Sequence, residues 1–524
     1  MALPEFNKNT EAQAQFRAQS GGESVRNPIV PLTSVEIAAI KTGVLSPVEM
    51  PKRNVEVETH NRNGRLITER IKNDHLFYER GEGQLPWIGV SPDYFYLTRN
   101  TQDGLTATGK LLGRFLDASS RLYQKDATVR NIIRMGKNQA TLDFMDKSGD
   151  VPFSAGMFRP DLCLTSEGFR LTELEIMIAG RGMASSLTTA YKELVPDVDA
   201  QKMEGSEIGY AKMWKAREAD KRGAIVIVSY EDSRDFKPEL KFLAEKTREQ
   251  NVPLWTNDEG QIIQRDGRLF FRPAAGGDEM PVSGIDRFFE TYELNPEFEM
   301  TNREGQISAR YDPDIVKILE GIVNDPNLDV IPSLEHAYLE EKAMLAFLHH
   351  PQFAKHWEEY FAPEELNILR TLIPATVVVT PDLMPQPIAD DWFGLLNLSG
   401  KDRELVVKKS GAAPDAWGSR SVSFAQEGKA KFQARIEAAL DGKDGVTVVQ
   451  KYAEGTSLDH PIYFPEVDTT NIYKNGNEVT RGRFTPFYYV TEKGVEMSDM
   501  MVTIRPGKKT HGASDSAMAP IAFI

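Results

Sequence analysis

The sequence of 524 residues carries a formal net charge of -15 and a pI near 5.2, with 40% hydrophobic and 27% charged residues. Its length exceeds what one hydrophobic core usually supports, and its composition excludes a disordered or fibrous chain, so several packed units are expected. The negative charge argues against broad surfaces for nucleic acid or anionic membrane and favours small-molecule partners.

A single cysteine, Cys163, excludes an internal disulfide framework, and no histidine or cysteine cluster indicates structural zinc. The first thirty residues lack the basic start and apolar stretch of a secretory signal. No apolar run approaches the ~20 residues needed to cross a bilayer. We therefore expect a cytoplasmic protein, and a homo-oligomer stays compatible with the sequence.

The N-terminal half begins with a polar arm and continues into a helical region. Residues 1–50 are poor in aromatics and contain several prolines, which predicts an arm with one helix near 35–41. Residues 51–220 form the next region. Apolar residues recur there at helical spacing over 105–122, which predicts a helix that faces the core.

Residues 221–300 predict a Rossmann-like subdomain. The β-branched run 224–228 is typical of a buried strand, helical spacing follows over 238–250, and extended character resumes at 252–255. No GxGxxG follows the first strand, so no dinucleotide site is expected. Residues 260–271, with Asp-Gly at their centre, predict a hairpin.

The rest of the sequence divides into a helical segment, 301–374, and a last region, 375–524, in which strands alternate with one helix. The predicted elements of that region are strands at 375–379, 405–407, 446–450 and 484–490 and a helix at 430–440. This pattern is that of an α+β unit.

Two short charged stretches flank a glycine that predicts a tight turn. Arg159-Pro-Asp161 precedes Gly168, and Glu173-Leu-Glu175 follows it. Because side chains alternate along a strand, Arg159 and Asp161 share a face, and so do Glu173 and Glu175. If the strands pair, three carboxylates and a guanidinium converge, which suits Mg²⁺ and a transferring phosphoryl group. The alternative is a solvated hairpin with an ion pair.

A lysine pair ends one of the predicted strands just before a loop of small residues. Lys408-Lys409 leads into Gly411, and the loop continues through Gly418 and Ser419. Such a loop lets backbone N–H groups approach phosphates, and a lysine supplies positive charge. The residue order of a Walker loop is absent. The alternative is a flexible surface loop with a solvated lysine pair.

The order of these pieces resembles the ATP-grasp enzymes. In that family a lysine ends one strand, a small-residue loop follows, and a later strand ends in Gln-x-Tyr, here Gln450-Lys451-Tyr452. An early Arg-x-Asp followed by Glu-x-Glu is similar to the permuted branch typified by glutathionylspermidine synthetase. The stretch around Lys342 and the Ile-Pro-x-Thr at 373–376 also resemble that branch, and the likeness covers roughly residues 150 to 500.

This resemblance implies an α+β, ATP-grasp-type fold with a Rossmann-like pre-grasp subdomain and an N-terminal helical region. It implies an ATP- and Mg²⁺-dependent ligase that joins a small-molecule acid to an amine through an acyl phosphate. The implied metal ligands are Asp161, Glu173 and Glu175; the implied nucleotide contacts are Lys342, Lys408, Gly411, Gly418, Ser419, Gln450, Lys451 and Tyr452; Arg159 would stabilise developing charge.

The sequence also departs from the family pattern. Glu175 stands where the family has asparagine, and Trp417 and Arg420 stand in a loop where small residues are usual. Either change suits an altered substrate. A phosphotransferase on the same fold, or a non-catalytic nucleotide-binding scaffold, is therefore the alternative.

Three further features have two interpretations each. Arg181, directly after the acidic strand, either clamps the acid substrate or belongs to a connecting loop. Cys163 shares the face of Asp161, but no histidine neighbours it in sequence, so packing is favoured over a nucleophile.

A C-terminal polar cluster either reaches phosphate or substrate or forms a solvated tail, which is the simpler interpretation. Its members are Arg483, Arg505, Lys508, Lys509, His511 and Asp515.

Overall fold

The computed structural model is mixed α+β in content. It describes residues 30–52, 55–74, 89–148, 156–195, 197, 199–230, 236–301, 307–312, 314–325, 327–411, 416, 421–441, 445–465, 468–472, 479–510 and 516–524. Over these residues, no helix combines the length and apolar character that a membrane span requires.

Several helices begin where the sequence supplies a cap. Thr33 and Glu36 form a capping box at the first helix, and Thr98 accepts a hydrogen bond from the backbone N–H of Thr101 at the third. The helices are α1 Ser34–Gly43, α2 Val57–Asn73, α3 Arg99–Lys125, α4 Ala127–Arg134, α5 Gln139–Met145, α6 Arg181–Leu194, α7 Ser206–Ala216, α8 Lys237–Arg248, α9 Ile315–Asn324, α10 Ala343–Phe347, α11 Ala354–Tyr360, α12 Pro363–Leu372, α13 Trp392–Leu396 and α14 Lys429–Leu440. The helices predicted near 35–41, 105–122, 238–250 and 430–440 are confirmed.

Within the residues that the structure describes, the strands fall into two large sheets and two small ones. In chain order they are β1 Gly89–Val90, β2 Phe95–Leu97, β3 Met157–Thr165, β4 Gly168–Glu175, β5 Gln201–Lys202, β6 Ala224–Ser229, β7 Leu254–Thr256, β8 Gly260–Arg265, β9 Arg268–Pro273, β10 Met280–Phe288, β11 Glu299–Thr301, β12 Ile307–Arg310, β13 Asp329–Ile331, β14 Thr376–Val379, β15 Leu405–Lys409, β16 Ser423–Phe424, β17 Thr447–Lys451, β18 Pro461–Phe464, β19 Thr469–Ile472, β20 Thr480–Thr491, β21 Gly494–Pro506 and β22 Ala517–Phe523.

The largest sheet combines strands from distant parts of the sequence. Its order is β19-β18-β1-β22-β21-β20-β3-β4, and β2 and β5 also pair with β22. Helix α3 packs against it, and the Tyr488 hydroxyl donates to the Leu105 carbonyl at 2.7 Å. The last strands of the region predicted over 375–524, β18 to β22, thus lie in the sheet that holds β3 and β4, and β14 to β17 form a sheet of their own.

The second sheet contains the predicted strand–helix–strand arrangement of residues 224–255. Strand β6, helix α8 and strand β7 form a parallel βαβ arrangement, and β10 and β13 extend the parallel pairing. Strands β8 and β9 form the predicted hairpin. Its turn residues, Asp266 at φ 52° and Gly267 at φ 75°, both adopt the left-handed conformation that a two-residue hairpin turn requires.

A four-stranded antiparallel sheet has the order β14-β17-β15-β16. It lies next to β4 of the largest sheet, where Lys408 of β15 donates to the Thr172 carbonyl. One face packs on α14 through Phe432 and Ile436, because alternate valines of its strands point there. The segment before it was predicted as helical. It contains the 3₁₀ helix Leu334–Glu340 and the short helix α10, and Lys342 is the residue that precedes α10.

Candidate functional site

A cleft lies between the β3–β4 hairpin and the four-stranded sheet. Most residues that the sequence proposed for nucleotide and metal line it. They are Asp161, Glu173, Glu175, Lys342, Lys408, Gly411, Gln450, Lys451 and Tyr452. Gly418 and Ser419, like Trp417 and Arg420, lie outside the described residues.

The acidic wall of the cleft is the β3–β4 hairpin. Asp161 lies opposite Glu173 across the strand pair, and Arg159 lies opposite Glu175, before a bulge follows Asp161. One carboxylate oxygen from each of the three acids lies within 4.8 Å of the others. The predicted convergence of three carboxylates is therefore observed, and this group could hold a metal ion.

Arg159 is buried among these acids and its donors are already used. Its Nε donates to Asp161 at 3.1 Å and its Nη1 to the Ala179 carbonyl at 2.6 Å. Its Nη2 lies 2.6 Å from Glu175 Oε2, an ion pair that lacks hydrogen-bond geometry. Arg159 thus lies against the carboxyl group of Glu175 within the same hairpin.

A second arginine reaches the acidic wall from another strand. Arg483, on β20, donates from Nη1 to Asp161 Oδ2 at 3.1 Å, and it lines the cleft. The tail interpretation is therefore wrong for Arg483, which lies on β20; Lys508 and Lys509 also line the cleft, and His511 and Asp515 lie outside the described residues. Arg483 is the fourth residue of β20 and directly precedes the strand predicted at 484–490.

Burial and mutual repulsion set the protonation of the acids. Burial raises the pKa of Glu175 to about 8, and the charges of Asp161 and Glu173 add to this, although Arg159 opposes it. The pKa of Asp161 is lowered despite its burial, because Arg159 and Arg483 favour its charged form. Glu175 is thus the acid whose ionisation depends most on added positive charge.

The basic wall consists of two lysines that contact the acidic hairpin. Lys342 Nζ lies 2.6 Å from Glu173 Oε1. Lys408 Nζ donates to the Thr172 carbonyl at 2.8 Å and to Gln450 Oε1 at 2.9 Å. Both ammonium groups therefore face the carboxylates across the cleft.

The two lysines differ in their proton affinity. Burial lowers the pKa of Lys408 to about 8, with Glu173 opposing and Lys342 adding to the change. The pKa of Lys342 is raised although the lysine is partly buried, because Glu173 contacts it directly. Of the two lysines, Lys408 is therefore the one that loses its proton more easily near neutral pH.

An aromatic corner closes the end of the cleft near β17. The rings of Phe424 and Tyr452 meet edge to face at 5.3 Å, and Lys508 Nζ lies within 5.7 Å of both ring centres. The backbone N–H of Tyr452 donates to the Glu404 carbonyl at 2.8 Å. This corner offers the flat apolar surface that a heterocyclic base would need.

Arg181 lies outside the cleft. Its side chain is fully buried, its Nη1 lies 2.6 Å from Asp286 Oδ2, and its guanidinium lies over the rings of Tyr210 and Phe288. The structure does not bring it to the other site residues.

Cys163 does line the cleft, but it lies against protein. Its Sγ lies 3.4 Å from the Ala453 carbonyl, and burial raises the pKa of the thiol to about 11. This agrees with the packing interpretation.

The fold is shared with a protein of the glutathione synthetase-like class. A glutathione synthetase-like effector from Globodera pallida, solved in its apo form, aligns with a TM-score of 0.55 at 8% identity, over 90% of this chain and 98% of that one. A protein assigned as a gamma-glutamylcysteine synthetase from Methylobacillus flagellatus KT aligns with a TM-score of 0.33 at 9% identity, over 77% and 86%. No protein-family model and no curated relative matches the sequence.

Proposed function

We propose that the protein is an ATP- and Mg²⁺-dependent carboxylate–amine ligase that forms an amide bond through an acyl phosphate. The observation that carries the proposal is the opposition of three converging carboxylates and two lysines, of which Lys408 is buried and Lys342 partly buried, across one cleft. The shared fold of the glutathione synthetase-like effector supports it.

The acidic wall is the proposed metal site. Its donor set fits Mg²⁺, because hard carboxylate oxygens from Asp161, Glu173 and Glu175 converge beside open space. A bound cation would supply positive charge to phosphate oxygens. Glu175 would contribute as a carboxylate, since a nearby cation favours its ionised form despite the pKa of about 8 that burial gives it.

The basic wall is the proposed phosphate site. Lys342 and Lys408 would exchange part of their contacts with the hairpin for the phosphates of ATP, to which each presents a compact positive charge. The adenine would lie at the corner of Phe424 and Tyr452, next to the main chain of Gln450 to Tyr452.

We propose different roles for the two arginines. Arg159 acts through Asp161 and Glu175, because its donors are committed to them and to a carbonyl. Arg483 keeps a fifth of its side chain exposed in the cleft and would meet charge on the substrate carboxylate or the transferring phosphoryl group. Arg181 has no proposed contact with substrate.

In the proposed reaction, a carboxylate oxygen of the acid attacks the γ-phosphorus of ATP, and the bond to the β-phosphate oxygen breaks to release ADP. The amine then attacks the acyl carbon, loses a proton, and displaces phosphate. The lysines and Arg483 contribute by holding charge in place, since phosphoryl transfer depends mostly on positioning and electrostatics.

Isotope transfer tests this assignment. The protein is incubated with ATP, Mg²⁺ and pools of amino acids and polyamines to find a productive acid and amine, and the acid is then labelled with ¹⁸O in its carboxylate. The released phosphate should carry one ¹⁸O, because the attacking oxygen stays on phosphorus. Phosphate without label would refute the ligase assignment.

The same experiment separates the alternatives. A phosphotransferase would keep the transferred group on its product and would need no amine. The second alternative is a non-catalytic scaffold, which is considered because Glu175 adds a negative charge to the proposed metal site. Such a protein would release no phosphate with any pool of amino acids or polyamines.

A further inference from the structure

Three consecutive residues, Glu340, Glu341 and Lys342, connect the cleft to separate parts of the fold. Glu340 accepts from Arg287 at the end of β10, and Lys342 contacts Glu173 on β4. Each side chain leaves the main chain in its own direction and meets a different unit. The segment that carries one nucleotide lysine is therefore held from several sides.

Glu341 has no role in the proposed reaction, although its carboxylate makes two contacts in the interior. Its carboxylate is 4% exposed and binds both the ammonium group of Lys137 and the hydroxyl of Ser410. The same hydroxyl accepts the backbone N–H of Ala343 at 3.0 Å. A Cβ at Gly411 would lie 2.3 Å from the Glu341 carboxylate, so only glycine permits this close approach.

These contacts join the two lysine-bearing segments. Ser410 lies two residues after Lys408, at the carboxyl end of β15, and Glu341 directly precedes Lys342. A bond between Glu341 and Ser410 therefore limits how far the two ammonium groups can move relative to each other.

We infer that Glu341 is a positioning residue, which fixes Lys342 and Lys408 at a set separation for the nucleotide phosphates by binding the Ser410 hydroxyl. This inference rests on the proposed function. Lys137 pairs with Glu341 in the interior, so that neither buried group is left without a partner of opposite charge.

A buried ion pair that only stabilises the fold is the competing explanation. It needs Lys137 and Glu341, but it does not need the hydroxyl of Ser410. Removal of that hydroxyl therefore distinguishes positioning from general stability.

The test compares Ser410→Ala with Ser410→Thr and with the control Ser185→Ala. Ser185 is a matched control, because it is buried and its hydroxyl donates to the carboxylate of Glu207 at 2.5 Å, away from the cleft. Calorimetry measures the Kd of ATP with excess Mg²⁺, thermal melting measures stability, and steady-state kinetics separates KM for ATP from kcat.

We expect Ser410→Ala to raise the Kd and KM for ATP about tenfold, the cost of one charge-assisted hydrogen bond. Ser410→Thr, which keeps a hydroxyl, should restore the Kd to within about threefold of the wild-type value. Ser185→Ala should lower the melting temperature to a similar extent and leave the Kd for ATP unchanged.

A double variant, Lys137→Met with Glu341→Leu, removes both buried charges together and so avoids leaving one unpaired. It should raise the Kd as Ser410→Ala does, and adding Ser410→Ala to it should cause no further loss, since both remove the same contact.

The outcomes are distinct. Wild-type Kd in folded Ser410→Ala, or additive losses in the combined variant, would overturn the positioning role while leaving the ligase proposal in place. A wild-type protein that binds no ATP would overturn the proposed function, and the positioning role with it.

Discussion

The two walls of the cleft are built in opposite ways. The acidic wall is local, because Asp161, Glu173 and Glu175 come from one hairpin and share a face through strand alternation. The basic wall is assembled from distant segments, since Lys342 precedes a short helix and Lys408 is the last residue but one of a strand in another sheet.

The contacts follow the same division. Asp161 and Glu175 pair with Arg159 of their own hairpin, and Arg483 of β20 adds one contact to Asp161. Lys342 and Lys408 contact the hairpin through Glu173 and the Thr172 carbonyl. The positions of the two lysines therefore depend on the position of the hairpin. A change in the hairpin should therefore affect both walls, and a change in one lysine should affect one.

The largest effect is expected for Glu173→Gln. It removes a proposed metal ligand and the partner of Lys342 at nearly constant volume, so turnover should fall at least about a hundredfold while the fold is kept. A phosphate-release assay and circular dichroism measure the two quantities. The control is Glu167→Gln, on the exposed turn of the same hairpin. If Glu173→Gln turned over at the wild-type rate, the assignment of Glu173 as a metal ligand would be wrong.

A smaller effect is expected on the basic wall. Lys408→Ala should raise the Kd for ATP by about 10- to 100-fold, whereas Lys409→Ala should change it less than about threefold, because neighbouring strand residues face opposite ways. Lys408 lines the cleft and Lys409 does not. Calorimetry measures the Kd for ATP of both variants. A larger loss of affinity in Lys409→Ala than in Lys408→Ala would show that the basic wall has been assigned to the wrong face of β15.

The pH dependence of binding sharpens this comparison. Since burial lowers the pKa of Lys408 to about 8, the charged form that phosphate prefers is half populated near that pH, nearly complete well below it and lost above it. Affinity for ATP should therefore weaken by up to about tenfold per pH unit above 8, with proton uptake on binding. Lys408→Arg, whose guanidinium stays charged, should remove the dependence. Titrations over pH 7 to 9.5 that are flat for the wild-type protein would contradict the assignment.

The smallest effect is expected for Cys163→Ala. The thiol lies against the Ala453 carbonyl, and burial raises its pKa to about 11, so it is neither a nucleophile nor a ligand at neutral pH. The kcat/KM should stay within about threefold of wild type. Rapid alkylation of Cys163 at pH 7.5, with loss of activity that ATP prevents, would contradict this.

The acidic wall could be predicted from sequence because its rule is local. Residues two apart on a strand share a face, and a glycine at the turn, Gly168, fixes which strands pair. The βαβ unit of β6, α8 and β7 was predictable for the same reason, since each element carries its own periodicity.

Long-range pairing explains what the sequence did not reveal. Arg483 meets Asp161 across 322 positions, and no local pattern shows that β20 lies beside β3. Arg181 follows the acidic strand closely but points to Asp286, because the interior of the Rossmann-like unit supplies a buried carboxylate. Proximity in sequence was a poor guide to either residue.

The pairing of β3 with β20 has a consequence for biosynthesis. The partner strand of the acidic hairpin is translated 322 positions later, counted from Asp161 to Arg483. At 5–20 residues per second the ribosome needs roughly 15 to 65 s to cover that distance. During this interval the outer edge of β3 has no strand beside it, although its side chains are largely apolar. A β3–β4 hairpin that formed during translation would carry an open sheet edge for tens of seconds, and we expect chaperone binding to the translating ribosome to be strongest in that window.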